Sequence, residues 1–281
     1  MSAPATAWFH PTRLTSADPP SFSRIGPTRP DPRFVLVCDH ASNAVPAHMR
    51  RLGLDQAELD RHIGWDIGAA MVTESLSARL DAPAFLSGYS RLVVDCNRPP
   101  GSPTAMPAVS DGTAVPANRA ISPAEAAART ETFFRPYHDA IAACLDRAVA
   151  AGAVPMLVAV HSFTPVFGGV ARPWEVGLLY EHDDRLVEPL REALCALRPG
   201  LTVGDNEPYA IVGPSDYSIP VHGQGRGLPH IEIELRQDLI GERGGAEAWA
   251  ATLAAALLRV RAALAPLAVE HRVPRGAAGA A

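Results

Sequence analysis

The chain alternates between short apolar runs and longer stretches in which apolar residues recur at helical spacing. The short runs predict strands at residues 35–38, 84–86, 92–96, 156–160, 176–180 and 231–235. The longer stretches predict helices within residues 55–80, 122–151, 183–197 and 245–264. Strands that alternate with helices in this way are typical of an α/β fold. We therefore expect a three-layer α/β/α arrangement around a mixed, mostly parallel sheet.

The two ends of the chain lack this periodicity. Residues 1–32 are rich in Pro, Ser and Thr and are expected to form a flexible N-terminal arm. Residues 33–268 form one expected α/β domain, and residues 269–281 an expected flexible tail. Residues 99–122, rich in Pro, Gly and Ser, are long for a connecting loop and suggest a lid or a disordered segment.

Composition narrows the class of protein. A chain of 281 residues that is 47% hydrophobic can bury a large core. The formal charge of -5 argues against a nucleic-acid partner, and no apolar stretch is long enough to span a membrane. The four cysteines form no C-x-x-C pair, which excludes a zinc ribbon or a redox motif of that type. With no secretory signal pattern at the N-terminus, we expect a cytoplasmic protein.

Two histidines follow predicted strands directly. His40 ends the first apolar run, and His161 ends the run at residues 156–160. In open α/β sheets, ligands bind at the carboxyl ends of strands, so these side chains suggest a shared catalytic or metal site. A catalytic zinc takes three protein ligands and leaves one position for water. Asp66 is the favoured third ligand, although it could instead cap a helix, and Asn43 and His62 remain alternatives.

The segment at residues 230–236 carries polar side chains on one face. Period-two alternation puts His230, Glu232, Glu234 and Arg236 opposite three apolar residues. Such a face is costly inside a sheet unless it has partners or a function. One interpretation is an edge strand with a solvated face. The other is a general base, for which Glu234 is favoured and Glu232 is the alternative. Arg98 follows the predicted strand at residues 92–96. At the edge of the sheet it could bind a substrate carboxylate with two hydrogen bonds, or it could be a surface arginine.

Taken together, the motifs resemble the N-formylglutamate amidohydrolase family. The matching segments occur in order between about residue 34 and residue 260, and they are VCDHASNAVP, HIGWDIGA, YSRLVVDCNR, FFRPYHDAI, VHSFTPV, RPWEVGLLY, NEPYA and RGLPHIEIELRQDLI. The resemblance implies a phosphorylase/hydrolase-like fold, one zinc ion and hydrolysis of the amide bond of an N-acylated amino acid. The family is related to zinc-dependent carboxypeptidase-like and aspartoacylase-like hydrolases and, more distantly, to N-acetylmuramoyl-L-alanine amidases.

The resemblance also implies metal ligands. His40 and His161 fall where these relatives place two zinc histidines. Carboxypeptidase-like enzymes have a glutamate three residues after the first histidine, but this chain has Asn43 there and departs from the motif. The muramoyl amidases take their acidic ligand from the start of the next helix, which corresponds here to Asp66. Glu234 corresponds to the glutamate that both groups keep beside the water.

The remaining implied roles concern the substrate. Asn97 and Arg98 match a pair that binds the substrate carboxylate in aspartoacylase-like enzymes, and Arg91 is expected to assist them. Ser162 and Tyr209 are expected to line the pocket. The expected partner is a small molecule with a carboxylate, and the sequence assigns no oligomeric state. The alternatives are another N-acyl amino acid, a peptide or a cell-wall fragment as substrate, or a protein that binds a metabolite without catalysis.

Overall fold

The computed structural model describes residues 14–272. Strands occur throughout this range. In chain order they are β1 Phe22–Ile25, β2 Phe34–Cys38, β3 Ala84–Ser87, β4 Val109–Ser110, β5 Thr113–Ala114, β6 Met156–Phe163, β7 Val166–Phe167, β8 Val170–Ala171, β9 Val176–Leu179, β10 Val203–Asp205 and β11 His230–Arg236. The strands β4 and β5 form one small hairpin, and β7 and β8 form another.

The helices are α1 Gln56–Leu59, α2 Ala69–Leu80, α3 Pro123–Arg129, α4 Arg135–Ala150, α5 Val187–Leu197 and α6 Arg243–Ala263. A π-helical turn at Thr130–Phe134 joins α3 to α4, and a second one lies at Ile219–Gly223. Short 3₁₀ segments are Ala47–Gly53, Pro116–Asn118, Gly213–Ser215, Gln224–Arg226 and Gln237–Leu239. As the capping pattern predicts, the Ser122 side chain accepts a hydrogen bond from the Glu125 backbone N–H at the start of α3. No helix within residues 14–272 is both long and apolar enough to cross a membrane.

The seven other strands form one mixed sheet with the order β1-β3-β2-β6-β11-β9-β10. The pairs β1–β3 and β9–β11 are antiparallel, and the other neighbouring pairs are parallel. Helices cover the sheet, so the predicted three-layer α/β fold with a mixed, mostly parallel sheet is confirmed. The strands β2, β6 and β11 are the central ones and lie side by side.

Alternation along the strands divides the core between the two faces of the sheet. Val158 and Val160 of β6 pack on the face covered by α2, α5 and α6, together with Trp249. Leu157 and Ala159 face the other way, toward Tyr137 and its neighbours on α4. Because side chains alternate between faces, His161 continues the α4 face of β6. The same alternation places Glu232 and Glu234 of β11 on that face.

The structure departs from the expected local elements in three places. The apolar segment at residues 92–96 forms buried turns instead of a strand, and Leu92, Val93 and Val94 pack in a separate cluster with Phe133 and Phe134. The helix predicted within residues 55–80 is divided into α1 and α2. Gly68, the N-cap residue of α2, has a φ of +86°, and its missing side chain leaves room for the Ile240 carbonyl. The edge-strand interpretation of β11 also fails, since this strand pairs with both β6 and β9.

Parts of the expected N-terminal arm and C-terminal tail fall within the described residues and make contacts there. Phe22–Ile25, within the expected arm, forms the edge strand β1 against β3. At the other end, the Glu270 backbone N–H donates to the Gly227 carbonyl, and Arg272 pairs with Asp184. Residues 1–13 and 273–281, which make up the rest of the expected arm and tail, lie outside the described residues. The 99–122 loop contains the β4–β5 hairpin.

Candidate active site

Two histidines and one aspartate converge beside the carboxyl ends of β2 and β6. The Nδ1 atom of His40 lies 3.2 Å from Asp66 Oδ2, and the Nδ1 atom of His161 lies 2.8 Å from the same oxygen. Backbone contacts fix the carboxylate, because the Asp66 N–H donates to the His40 carbonyl and the Ser162 N–H donates to Asp66 Oδ2. All three side chains are buried. Asp66 therefore does not cap α2, whose N-cap residue is Gly68.

The other nitrogen of each histidine ring contacts a second carboxylate. His40 Nε2 lies 2.7 Å from Asp95 Oδ1, and His161 Nε2 lies 3.2 Å from Asp39 Oδ2. Histidines that bind metals usually donate their remaining ring N–H to a carboxylate or a carbonyl, which leaves the opposite nitrogen free to coordinate. In this arrangement both Nδ1 atoms point to Asp66, and each Nε2 atom contacts a carboxylate on the far side of its ring, from Asp95 or Asp39.

Further contacts hold these outer carboxylates in place. Asp39 Oδ1 accepts hydrogen bonds from the Tyr137 hydroxyl at 2.8 Å and the Ser218 hydroxyl at 2.6 Å. Asp95 accepts hydrogen bonds from the Arg91 guanidinium at 2.8 Å and from the Asn97 backbone N–H at 2.8 Å. Each histidine is consequently oriented by a carboxylate that is itself fixed by two donors.

The triad of His40, Asp66 and His161 fits a metal ion. One ligand atom from each residue lies within 4.8 Å of the other two. Ligands bound at about 2.0 Å to a tetrahedral zinc are about 3.3 Å apart, close to the distances between Asp66 and the two histidines. Asn43 instead donates to Asp60 at 2.8 Å, and His62 lies 3.4 Å from Asp111. Among the proposed third ligands, only Asp66 joins both histidines.

Electrostatics favour positive charge at this triad. Burial raises the pKa of Asp66, but the two neighbouring histidines outweigh burial, and the net shift is downward. Burial and Arg91 lower the pKa of His40, whereas Asp95 and Asp66 raise it further, so the net shift is upward. The pKa of His161 is also raised, because Glu232, Asp39 and Asp66 outweigh its burial. The carboxylates around the two rings thus stabilise either protons or a bound cation.

Two glutamates of β11 lie next to the triad. Glu234 is opposite His161 in the β6–β11 register, and Glu232 Oε2 lies 4.0 Å from His161 Nε2. Burial raises the pKa of Glu232 to about 7 and that of Glu234 to about 8. In the described residues, the Oε2 atom of each is buried without a hydrogen-bond partner. Buried polar atoms normally have partners, and the exceptions are often found at functional sites.

A cavity of about 180 Å³ connects these groups. Its lining contains each residue predicted for the site, namely His40, Asp66, Arg91, Asn97, Arg98, His161, Ser162, Tyr209 and Glu234. Glu232 and His62 also line it, whereas Asn43 does not. The structure therefore brings together, around one cavity, residues that are far apart in the sequence.

Comparison with known proteins identifies relatives of this chain. Residues 33–241 match the profile of the N-formylglutamate amidohydrolase family. The chain belongs to this family. A crystal structure of a gene product from Agrobacterium tumefaciens is 34% identical, with a TM-score of 0.83, and the match covers 89% of this chain and 98% of that one. Among curated proteins, none matches the chain significantly.

An N-formylglutamate amidohydrolase from Ralstonia eutropha has the same fold. Its crystal structure is 19% identical to this chain, with a TM-score of 0.60, and the match covers 86% of this chain and 96% of that one. At that identity the likeness concerns the fold alone. The family assignment therefore depends on the match over residues 33–241.

Several predicted substrate-binding groups of this family member already have partners inside the protein. The Asn97 side-chain oxygen accepts from the backbone N–H groups of Tyr217 and Ser218 at 3.1 and 3.0 Å. Arg98 donates to Asp216 at 2.5 Å. The hydroxyl of Ser162 donates to the Ile67 carbonyl at 2.8 Å. These contacts position the cavity wall, and they leave part of the donor capacity of Arg98 unused.

The sequence analysis missed the carboxylates that orient the triad. Asp39 and Asp95 each end an apolar run, and Asp39 directly precedes His40. A charged residue in such a position is rarely fully buried without a partner. The position of these two aspartates could therefore have indicated that each has a partner in the site. Asp216, which pairs with Arg98, had no comparable signal because it lies in a Gly/Pro/Ser-containing loop.

Proposed function

We propose that this protein is a zinc-dependent amidohydrolase that cleaves the amide bond of an N-acylated amino acid such as N-formylglutamate. The observation that carries the proposal is the convergence of two histidine Nδ1 atoms on one oxygen of Asp66, with each ring anchored from behind by Asp95 or Asp39. Membership of the amidohydrolase family supports the reaction type.

In this proposal His40, Asp66 and His161 hold the zinc ion. Two imidazoles and one carboxylate are a common ligand set for catalytic zinc, which keeps one position for water. An ion held by these three residues would supply Lewis-acid chemistry, lowering the pKa of a water molecule and polarising the carbonyl of the scissile amide. Asp95 and Asp39 keep the two imidazole rings in the tautomer that leaves Nδ1 free.

Glu234 is the proposed general base and acid. Its carboxyl group faces the cavity, and its buried Oε2 has no hydrogen-bond partner within residues 14–272. Burial raises its pKa to about 8, and a cation at the triad would lower that pKa and favour the ionised form that accepts a proton. Glu234 takes a proton from the attacking water and returns it to the nitrogen of the leaving amine. Glu232, which also lines the cavity, is the alternative base.

Arg98 is the proposed anchor for the substrate carboxylate. Its Nη1 atom is engaged with Asp216 and with the Asn97 carbonyl, and within residues 14–272 no other hydrogen bond occupies its remaining donors, which could bind a ligand. Asn97 supports the loop that carries Arg98, and Arg91 adds positive charge beside Asp66 at 3.4 Å. Ser162 and Tyr209 shape the wall of the cavity.

The direct test combines metal analysis with an activity assay on N-formyl, N-acetyl and N-succinyl amino acids. Purified protein should contain about one zinc per chain. Removal of the metal with a chelator should abolish release of the free amine, and added zinc should restore it. Full activity in protein shown to be metal-free would contradict the proposal.

A matched pair of variants sharpens this test. Glu234→Gln should retain its zinc and lose about 10²- to 10⁴-fold in kcat, because it can no longer transfer the proton. Glu232→Gln changes the same chemical group on the same face of β11 and serves as the control. If Glu232→Gln shows the larger loss in kcat, Glu232 is the base.

A further inference from the structure

Arg172 lies against the cavity wall in a cage of aromatic rings. It follows the β7–β8 hairpin, and its guanidinium carbon lies 4.7 Å from the centroid of the Phe167 ring, 4.8 Å from that of Tyr209 and 5.8 Å from that of Phe163. Phe163 and Tyr209 both line the catalytic cavity. Contact with aromatic faces restricts the guanidinium plane and leaves its edge available for hydrogen bonds.

The hydrogen bonds of Arg172 leave most of its donors unused. Nη1 donates to the Tyr209 hydroxyl at 2.9 Å and to Thr164 Oγ1 at 3.4 Å. Within residues 14–272, Nε and Nη2 make no side-chain hydrogen bond, and no carboxylate forms an ion pair with this arginine. Thr164 also lines the cavity. The unused donors therefore belong to a half-buried cation next to the candidate active site.

The two arginines that line the cavity are different in this respect. Arg91 pairs with Asp95 at 2.8 Å and with Asp66 at 3.4 Å. Arg98 pairs with Asp216. Internal carboxylates thus compensate the charges of both cavity arginines, whereas the charge of Arg172 has no such compensation among the described residues.

We propose that Arg172 is a specificity-determining residue that binds a second, side-chain carboxylate of the substrate. The inference rests on the proposed function, in which Arg98 binds the first carboxylate. A planar guanidinium with free Nε and Nη2 donors matches a carboxylate bidentately. The aromatic cage orients the guanidinium before the ligand arrives, which reduces the entropy lost on binding. Substrates with a neutral side chain lose this interaction.

The test compares N-formyl-L-glutamate with N-formyl-L-glutamine, which has nearly the same shape but a neutral side chain. In the zinc-loaded wild-type protein, the glutamate derivative should have the higher kcat/KM. Arg172→Gln should lower kcat/KM for the glutamate derivative by about 10- to 100-fold, mainly through KM, and change the glutamine derivative little. Arg172→Lys should retain part of the preference. Arg243→Gln, at an exposed position that begins α6, is the matched control.

A binding measurement makes the test independent of turnover. Calorimetry with glutarate and with its monoamide should show that Arg172→Gln weakens glutarate binding about 10-fold or more and leaves the monoamide unaffected. Equal losses for both ligands would indicate a structural role and overturn the inference. So would unchanged glutarate affinity, or no measurable glutarate binding to the wild type. If the wild type hydrolyses neither formyl substrate, the proposed function fails, and glutarate binding still decides the role of Arg172.

Discussion

Two pairs of buried histidines in this protein have opposite surroundings. His40 and His161 contact carboxylates through both ring nitrogens, and the pKa of each is raised. His138 and His222 stack at 5.2 Å between ring centroids and contact each other at 3.0 Å through Nδ1 and Nε2. All four side chains are less than 5% exposed, so burial alone does not distinguish the pairs.

The second pair is held in the neutral form. His138 Nε2 lies 2.8 Å from the Cys96 carbonyl, which can only accept, so this nitrogen carries the proton and Nδ1 accepts from His222. Burial lowers the pKa of His138 to about 4, against the opposing charge of Asp39. Burial, His138 and Arg226 lower the pKa of His222 to about 3. Neighbouring carboxylates, and not depth of burial, therefore decide whether the pKa values of a buried histidine pair are raised or lowered.

The largest expected difference between the pairs concerns metal binding. His161→Gln should reduce bound zinc from about one per chain to almost none and abolish amide hydrolysis, because one of three ligands is lost. His222→Gln makes the same chemical change in the neutral pair and should retain the full metal content. Elemental analysis and the amine-release assay measure both. Equal metal loss in the two variants would contradict the expectation that only His40 and His161 bind the metal.

A smaller effect should follow from changing a carboxylate that orients the triad. Asp95→Asn keeps the shape of the side chain but removes the charge that stabilises the His40 N–H, so zinc affinity should fall by about 10- to 100-fold. Competition with a chelator of known affinity measures this change. Asp31→Asn, at an exposed surface position, is the control and should have no effect. An unchanged affinity in Asp95→Asn would show that Asp95 does not tune the triad.

The smallest expected effect concerns stability and pH in the neutral pair. The folded-state pKa values of about 4 and about 3 lie below the value of about 6.5 for an unfolded histidine. The unfolded chain therefore binds more protons in this window, and the stability from the neutral pair is complete above pH ~6.5 and is lost as the pH falls toward ~4. Each histidine contributes a slope of roughly 1.4 kcal/mol per pH unit.

His222→Gln should remove the contribution of one buried neutral histidine to the pH dependence of the free energy of unfolding. The difference in free energy of unfolding between wild type and this variant should narrow as the pH is lowered from about 6.5 to about 4, as measured by urea denaturation at several pH values. Other titrating groups are common to both proteins, so they largely cancel in the difference. His271→Gln, at an exposed position, should leave the slope unchanged. A pH-independent difference for His222→Gln would mean that His222 is not buried in its neutral form.

Much of the fold could be predicted from the pattern of apolar residues. The strands β2, β3, β6, β9 and β11 lie where short apolar runs predict them, because a central strand covered on both faces needs apolar side chains on both. The run at residues 92–96 has the same composition but forms buried turns. An apolar composition indicates that a segment is buried, whereas a strand also needs a neighbouring strand for its hydrogen bonds. The position beside β3 is already occupied by β1.

The neutral histidine pair could not be predicted from local sequence. His138 lies on α4 and His222 in a π-helical turn, 84 residues later. Neither follows a strand, and neither belongs to a ligand spacing pattern. Arg172 is a similar case, because its lack of a carboxylate partner among residues 14–272 becomes apparent only when the β7–β8 hairpin is placed beside Tyr209.

The sequence by itself indicated that His40 and His161 lie near the carboxyl ends of two strands of an α/β sheet, since an apolar run stops just before each. In the structure His40 follows β2 by two residues, and His161 lies within β6, two residues before its end. The sequence also determined the polar face of β11 with Glu232 and Glu234, because alternation has a fixed period of two. Only the tertiary structure decided which carboxylate joins the two histidines. Asp66 is 26 residues from His40 and 95 from His161, and contact across such separations depends on how strands and helices pack and not on any local pattern.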